Sequence, residues 1–342
     1  MSDRLSELLA TGRPVLADGA THTHIRRAAE RHGIPLPPVF ELLNIEHPKL
    51  VREHYRGYLE VGTDVLLTHS WAANRYALAD AHQAPVPAGQ VVEINRAAAH
   101  LLREEIAQVR PGAVAAGSVG PTGWIVADRD QDGPLHDDVE ISYHDAVAAF
   151  EEQISALIAG GVDVIWLETH ISPTEVRAAI DGWRRALAGA GRPVPYIVSM
   201  VFNRSEQTQA QYDLHNFAAE FGRGPDGPAA FGINCGYGPQ VTLEQLARNP
   251  ECWVDRAPLV VKANAGPPLP NGPVYSPQAM TPSQLGRYAQ LAVDYGARII
   301  GACCGSTPEH IAGIRDALAS YQPKPPRPAS LISDELAHAD RR

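Results

Sequence analysis

No apolar run in the 342 residues reaches the length needed to cross a membrane, and Met1-Ser2-Asp3-Arg4-Leu5 lacks the basic and then apolar pattern of a secretory signal. Cysteine is scarce. Four unevenly spread residues make no disulfide framework, so the expected compartment is the reducing cytoplasm, where clustered thiols read as metal-binding or catalytic. Positive charge is also in deficit: Lys and Arg number 29 against 39 Asp and Glu, a formal net charge of −10. That balance argues against a nucleic-acid or anionic-membrane partner and tolerates a cationic ligand. Missing too are a Gly-x-Gly-x-x-Gly after the first strand-like run and any Gly-Lys-Ser/Thr phosphate loop, which weakens nucleotide-binding readings.

What is present is a regular alternation. Eight short, β-branched, apolar runs stand at Val15–Ala20, Val65–Ser70, Ala113–Gly120, Val162–Thr169, Tyr196–Phe202, Ala230–Cys235, Leu259–Gly266 and Arg298–Gly305. The segments between them are long enough for crossover helices. Helix starts read as capping boxes at Ser172-Pro173-Thr174-Glu175, Thr242-Leu243-Glu244-Gln245 and Thr281-Pro282-Ser283-Gln284, and helix ends at Gly160-Gly161 and Gly296. Eight such units without a composition break predict an α/β fold, a (β/α)8 TIM barrel over residues 1–321; a doubly wound open sheet is the alternative. Gly222–Pro228 reads as a turn-rich loop. The Pro-rich tail 322–342 is expected to leave the barrel extended, with a short helix over Leu331–Ala339 suited to packing against a second subunit in a homo-oligomer.

Polar residues finish these apolar runs: Asp18, His69 and Ser70, Ser118, Glu168, Cys235, Asn264, and the pair Cys303-Cys304. A barrel gathers the C-terminal ends of its strands at one mouth, the face that carries active sites. There Cys235, Cys303 and Cys304, far apart in sequence, become neighbours, and three thiolates with one open position suit Zn2+. A vicinal disulfide or ordinary buried thiols are the alternatives.

In this order the motifs resemble the homocysteine S-methyltransferase family, which includes betaine–homocysteine and S-methylmethionine–homocysteine methyltransferases and the homocysteine module of cobalamin-dependent methionine synthase. The matching pieces are Leu16-Ala17-Asp18-Gly19-Ala20, Gly117-Ser118-Val119-Gly120-Pro121, Gly161-Val162-Asp163-Val164 with Leu167-Glu168-Thr169, Gly232-Ile233-Asn234-Cys235, Asn264-Ala265-Gly266, and Gly301 to Ile311. The resemblance implies a TIM barrel with zinc on Cys235, Cys303 and Cys304 and an oxygen ligand from Asn264 when no thiol is bound. It implies that Asp18 and Glu168 hold the amino group of homocysteine near Ser118, and that backbone N–H groups around Gly19 and Ala20 meet its carboxylate. Two departures fall where the methyl donor should lie. His22 replaces a glycine in Thr21-His22-Thr23-His24, and the second run ends Thr68-His69-Ser70-Trp71 in place of a Thr-Asn-Thr or Thr-aromatic-Thr pattern.

Methyl transfer to sulfur needs a thiolate, and zinc supplies it at neutral pH by stabilising the anion, so no separate base is required. The implied reaction takes homocysteine and a small onium donor, S-methylmethionine-like or betaine-like, to methionine, a step of methionine biosynthesis. Trp71 is the expected aromatic face for the cation, with Trp124 and Tyr237 as weaker candidates and rim packing as the plain reading of all three. His22 and His24, two apart, would share one side of an extended segment and shape the donor pocket, bind a second metal, or be polar surface. Asp128–Val139 opens like an EF-hand loop but ends in Val139 rather than glutamate and reads as a solvated turn. Cys252 stands apart and reads as structural. Three alternatives stay open: another thiol or selenol acceptor, a methyl-corrinoid partner, and a zinc-binding barrel with a structural or sensing role.

Overall fold

The computed structural model describes residues 3–83, 86–130, 140–224, 226–267, 280–337 and 339. Each of the eight apolar runs overlaps a strand, two strands extending one residue beyond their run: β1 Val15–Leu16, β2 Val65–Leu67, β3 Val114–Val119, β4 Val164–His170, β5 Tyr196–Met200, β6 Ala230–Cys235, β7 Leu259–Ala263 and β8 Ala297–Ala302. At least one helix separates every strand from the next. All neighbours pair in parallel, in the order β1-β8-β7-β6-β5-β4-β3-β2. The two ends meet through a parallel bridge between Ala17 and Val65. Asp64 N–H donates to Leu16 O at 2.7 Å and Asp18 N–H to Val65 O at 3.2 Å. The fold is thus a (β/α)8 barrel, and the open-sheet alternative falls.

The strands read as continuous apolar runs because both of their faces are covered. Val15, Ala17, Val65, Leu67, Val114, Ala116, Val164, Trp166, Ile197, Val260 and Ile299 fill the barrel interior. The intervening residues, among them Leu16, Leu66, Ala115, Ile165, Val198, Phe231, Val261 and Ile300, pack outward against the helices. The helix Arg4–Ala10, capped by Asp3, brings Leu5, Leu8 and Leu9 onto the inner layer. Arg13 and Arg110 both hold the carboxylate of Asp64, which also accepts Leu16 N–H at 3.0 Å. At Gly232 a Cβ would stand 1.9 Å from Val260 O, so the approach of β6 to β7 requires glycine there.

Ser172 caps the helix Pro173–Ala188 and Thr281 makes a reciprocal capping box with Gln284. The expected start at Thr242 is corrected. That helix begins at Pro239, whose fixed φ and missing N–H suit the first helical position, and Thr242 instead donates its hydroxyl to Gly238 O. The tail expected to leave the barrel instead runs along it: residues 321–328 have no helix or strand, Lys324 N–H donates to Asp294 at 2.7 Å, Ile332 and Leu336 of its short helix Ile332–Ala337 are buried in this chain's own core cluster, and Glu335 pairs with Arg287 at 2.5 Å. Those two apolar side chains are therefore not available to a second subunit. Among the described residues no helix is long and apolar enough to cross a membrane. The last nine positions of the EF-hand-like stretch, 131–139, lie outside the described residues.

Candidate active site

The ends of β6 and β8 deliver the thiols. Cys235 closes β6 in the left-handed region, φ +63°, and Gly236 follows at +73°. Cys303 and Cys304 follow β8, with Cys303 N–H donating to Ala263 O at 2.8 Å and Ala265 N–H to Cys304 O at 2.9 Å. The three sulfurs lie within 4.8 Å of one another, and all four cysteines are free, so the vicinal disulfide is not formed. Thiol donation from Cys303 and Cys304 holds Cys235 well below the ordinary thiol range, helped by the Asn264 side chain. The same bonds push Cys303 up to about 12 and Cys304 well above the thiol range.

Asn264, just after β7, donates Nδ2 to Gly236 O at 2.7 Å, while its Oδ1 is buried with no partner among the described residues. Three sulfurs within reach of one ion, with an unpartnered amide oxygen at the end of the strand between them, fit a zinc ion. The chemistry of the donor set and the orphaned oxygen both support that assignment.

Beside the thiols lies a charged group that sequence reasoning missed. Lys262, the one charged residue in the apolar strand β7, points into the barrel over the Trp166 ring at 5.0 Å. Its Nζ meets Asp18 Oδ1 at 2.5 Å, and Leu67 N–H donates to Asp18 Oδ2 at 2.9 Å. Burial opposes the Lys262 charge, but Asp18, Glu168 and Cys303 outweigh it and raise the ammonium above its ordinary value. The signal was a lone lysine inside a strand of Leu, Val, Val and Ala. Asp18 is therefore engaged from both sides.

Glu168, two residues before the end of β4, is nine-tenths buried, with Ser118 Oγ donating to its Oε1 at 2.5 Å. Burial takes its carboxyl up to about 7, with Lys262 pulling the other way. Its aim is set by a break in the strand. The register with β5 shifts between Leu167 and His170, and Thr169 is forced to φ +66°, a costly conformation for a β-branched residue. Asn234 offsets that cost: Thr169 N–H donates to Asn234 Oδ1 at 3.0 Å and Asn234 Nδ2 to Thr169 Oγ1 at 2.7 Å. One asparagine thus ties the residue after Glu168 to the residue before Cys235.

The backbone around Gly19 differs from expectation. Ala20 N–H already donates to Ser306 Oγ at 2.9 Å, so it is not open to a carboxylate. Gly19 is required because a Cβ there would lie 2.4 Å from that oxygen and 2.7 Å from the Tyr58 hydroxyl. Ala20 is the N-cap of the helix Thr21–His32, so His22 and His24 sit in a helix, where residues two apart diverge. The shared extended face expected for them is corrected: His24 Nδ1 meets His54 Nδ1 at 3.0 Å, while His22 Nε2 meets Glu41 Oε1 at 3.0 Å.

The rim near His22 is aromatic. Its ring lies edge-on to Phe40, His69 and Trp71 at 5.3, 5.6 and 5.9 Å. Trp71 packs on Gly120, where a Cβ would clash with its indole at 2.4 Å. Burial pushes Glu41 up, but His22 beside it outweighs burial and takes the carboxyl to about 2. Trp124 is elsewhere, bound to Asp80 at 2.6 Å and stacked near Tyr76. Tyr237 is exposed under Arg204, and buried Cys252 meets His215 at 3.4 Å, outside the thiol cluster.

A parallel (β/α)8 barrel with its reactive groups collected at the C-terminal mouth has the layout of a barrel enzyme. The sequence profile described as homocysteine S-methyltransferase matches residues 15–318, and the chain belongs to that family; it is a methyltransferase acting on small molecules, in a family that methylates homocysteine. In fold it is similar to the Escherichia coli homocysteine methyltransferase MmuM. The oxidized form of that protein is 24% identical with a TM-score of 0.71, covering 92% of this chain and 99% of the other. Its metallated form gives 24% and 0.70 over the same shares, and its apo form 23% and 0.66 over 92% and 100%.

Proposed function

We propose that the protein transfers a methyl group from a small onium donor to the thiolate sulfur of homocysteine, giving methionine, with zinc held by Cys235, Cys303, Cys304 and, when no thiol is bound, Asn264. The observation that carries this reading is the meeting of three free thiols at one point beside the buried charges of Asp18, Lys262 and Glu168. Zinc, when bound, stabilises the acceptor sulfur as a thiolate near neutral pH.

The chain's own residues orient the reactants. Glu168, aimed by the Thr169 turn and steadied by Ser118, takes the ammonium of homocysteine. Asp18, with both oxygens taken, forms the anionic wall of that pocket with Gly19, while the Ala20 N–H serves the frame through Ser306. Trp71 offers the donor cation an aromatic face at the rim, with His22 packed edge-on beside it. Sulfur and methyl carbon are held in line. The new C–S bond forms as the donor's C–S or C–N bond breaks, and the released electron pair neutralises the onium centre.

A second reading has one observation in its favour. Because the Lys262 ammonium already occupies Asp18, the pocket suits a thiol acceptor that lacks an amino group. The deciding experiment incubates reduced, zinc-loaded protein with homocysteine and, in turn, S-methylmethionine, S-adenosylmethionine, glycine betaine and dimethylsulfoniopropionate. Methionine from one preferred donor supports the leading reading. No product with any of them overturns the onium assignment; with the donor panel repeated on a simple alkyl thiol in place of homocysteine, product from that acceptor alone favours the second.

A further inference from the structure

We propose that His22, Glu41 and His69 form a second metal site at the barrel rim, for a divalent ion of borderline softness such as Zn2+ or Co2+. The three come from separate elements: the first turn of the helix Thr21–His32, the 3-10 turn Phe40–Leu42, and the residue two beyond the end of β2. One ligand atom from each lies within 4.8 Å of the other two. No residue is shared with the thiol cluster.

The decisive feature is His69. It is 1% exposed, and its Nε2 lies 2.8 Å from Phe40 O, so the ring proton belongs there. The other nitrogen, Nδ1, is buried and has no partner among the described residues. An imidazole whose one N–H is fixed to a backbone carbonyl and whose second nitrogen is left bare has the tautomer of a metal ligand. Left bare, that buried acceptor is a net cost to the fold. A simple ion pair of His22 with Glu41 accounts for the carboxylate but not for His69.

Glu41 is held in place by Ala72 N–H at 2.9 Å, and His22 Nε2 is already 3.0 Å from the same carboxylate oxygen. A divalent ion replaces the proton between them and gains His69 Nδ1 as its third ligand. Two imidazoles and one carboxylate suit Zn2+, Co2+, Ni2+ or Fe2+ rather than Mg2+ or Ca2+, and three protein ligands leave a position open. His22, with 40% of its side chain exposed, gives the ion a route from solvent.

The test is a Co2+ titration of the reduced, metal-stripped full chain, with bound metal counted by elemental analysis. Thiolate-to-cobalt absorption in the near ultraviolet reports the cysteine cluster independently of any turnover. The expected result is two Co2+ per chain, falling to one in His22→Ala and in Glu41→Gln with the thiolate band retained. Cys304→Ala should lose the thiolate band and keep the other ion. Because His22 is partly exposed and Glu41→Gln preserves shape, circular dichroism should match the wild type in both. One Co2+ in the wild type, accounted for by the thiolate band, overturns the proposal. So does a second ion that survives both His22→Ala and Glu41→Gln, and one lost only in His215→Ala would assign it to the His215, Glu251 and Cys252 group.

Discussion

Lys262 Nζ lies 2.5 Å from Asp18 Oδ1, and both side chains are buried at the heart of the barrel mouth. Each is the other's only opposite charge in hydrogen-bond contact among the described residues. Removing one member strands the other without water. Lys262→Met should therefore lower stability by roughly 3–5 kcal/mol, and Lys262→Met with Asp18→Asn should recover a good part of that. Denaturant unfolding of the three variants measures it. A single variant costing under about 1 kcal/mol, the range of an exposed pair, would show that the pair is solvated.

Glu168 gives a pH dependence with a definite sign. Burial raises its carboxyl from the model-compound value of 4.5 to about 7, so between those values the folded chain keeps a proton that the unfolded chain releases. The contribution to stability is present below about pH 4.5 and falls as pH rises to about 7, by up to ~3 kcal/mol. Glu168→Gln should flatten that slope in a pH series of unfolding curves; an unchanged slope would assign the titration to another group.

The same carboxylate should govern acceptor affinity. A charge-assisted hydrogen bond contributes about 1.5–3 kcal/mol, so Glu168→Ala should raise the homocysteine KM roughly 10- to 100-fold while thiol-site metal stays bound. Cys304→Ala should lose both that metal and methyl transfer. Normal homocysteine binding in Glu168→Ala would remove Glu168 from the acceptor pocket.

Thr169 carries strain that a substitution series can read. Glycine accepts φ +66° freely, whereas valine keeps the strain and loses the hydroxyl that accepts from Asn234. Thr169→Gly should thus be more stable than Thr169→Val by about 1–2 kcal/mol, against the usual order within a strand. Asn234→Ala should cost about 1–3 kcal/mol by removing both bonds. Thermal melts of the three rank them directly, and Thr169→Val at or above Thr169→Gly would deny the strain.

The barrel was legible because its signals are repeated: eight β-branched runs, each long enough to be buried on both faces, with a helix-length segment between them. The cysteines, Asp18, Ser118 and Glu168 were legible because each is a polar residue ending such a run. Lys262 was not, since a single charge amid Leu259, Val260, Val261 and Ala263 looks the same in sequence whether it faces a carboxylate or the solvent. Glu41 was missed for a different reason. It lies in a short connecting turn, and nothing local marks it until the fold brings His22 and His69 alongside. The helical start at Ala20 was hidden by the absence of a side-chain cap, which let Thr21–His24 read as extended. At Thr242 the error ran the other way, a good cap signal overridden by Pro239 three residues earlier.

The thiols stand on strand ends that backbone hydrogen bonds already fix, Cys303 to Ala263 and Cys304 to Ala265, with Asn234 bracing Cys235 from the adjoining position. Small zinc domains need the ion to fold at all. On the zinc reading, the ligands here stand at the ends of two strands paired into a large barrel rather than on a small loop domain. Binding would then add stability to the folded chain as the ion is supplied, so on the zinc reading the unfolding midpoint should rise with free zinc.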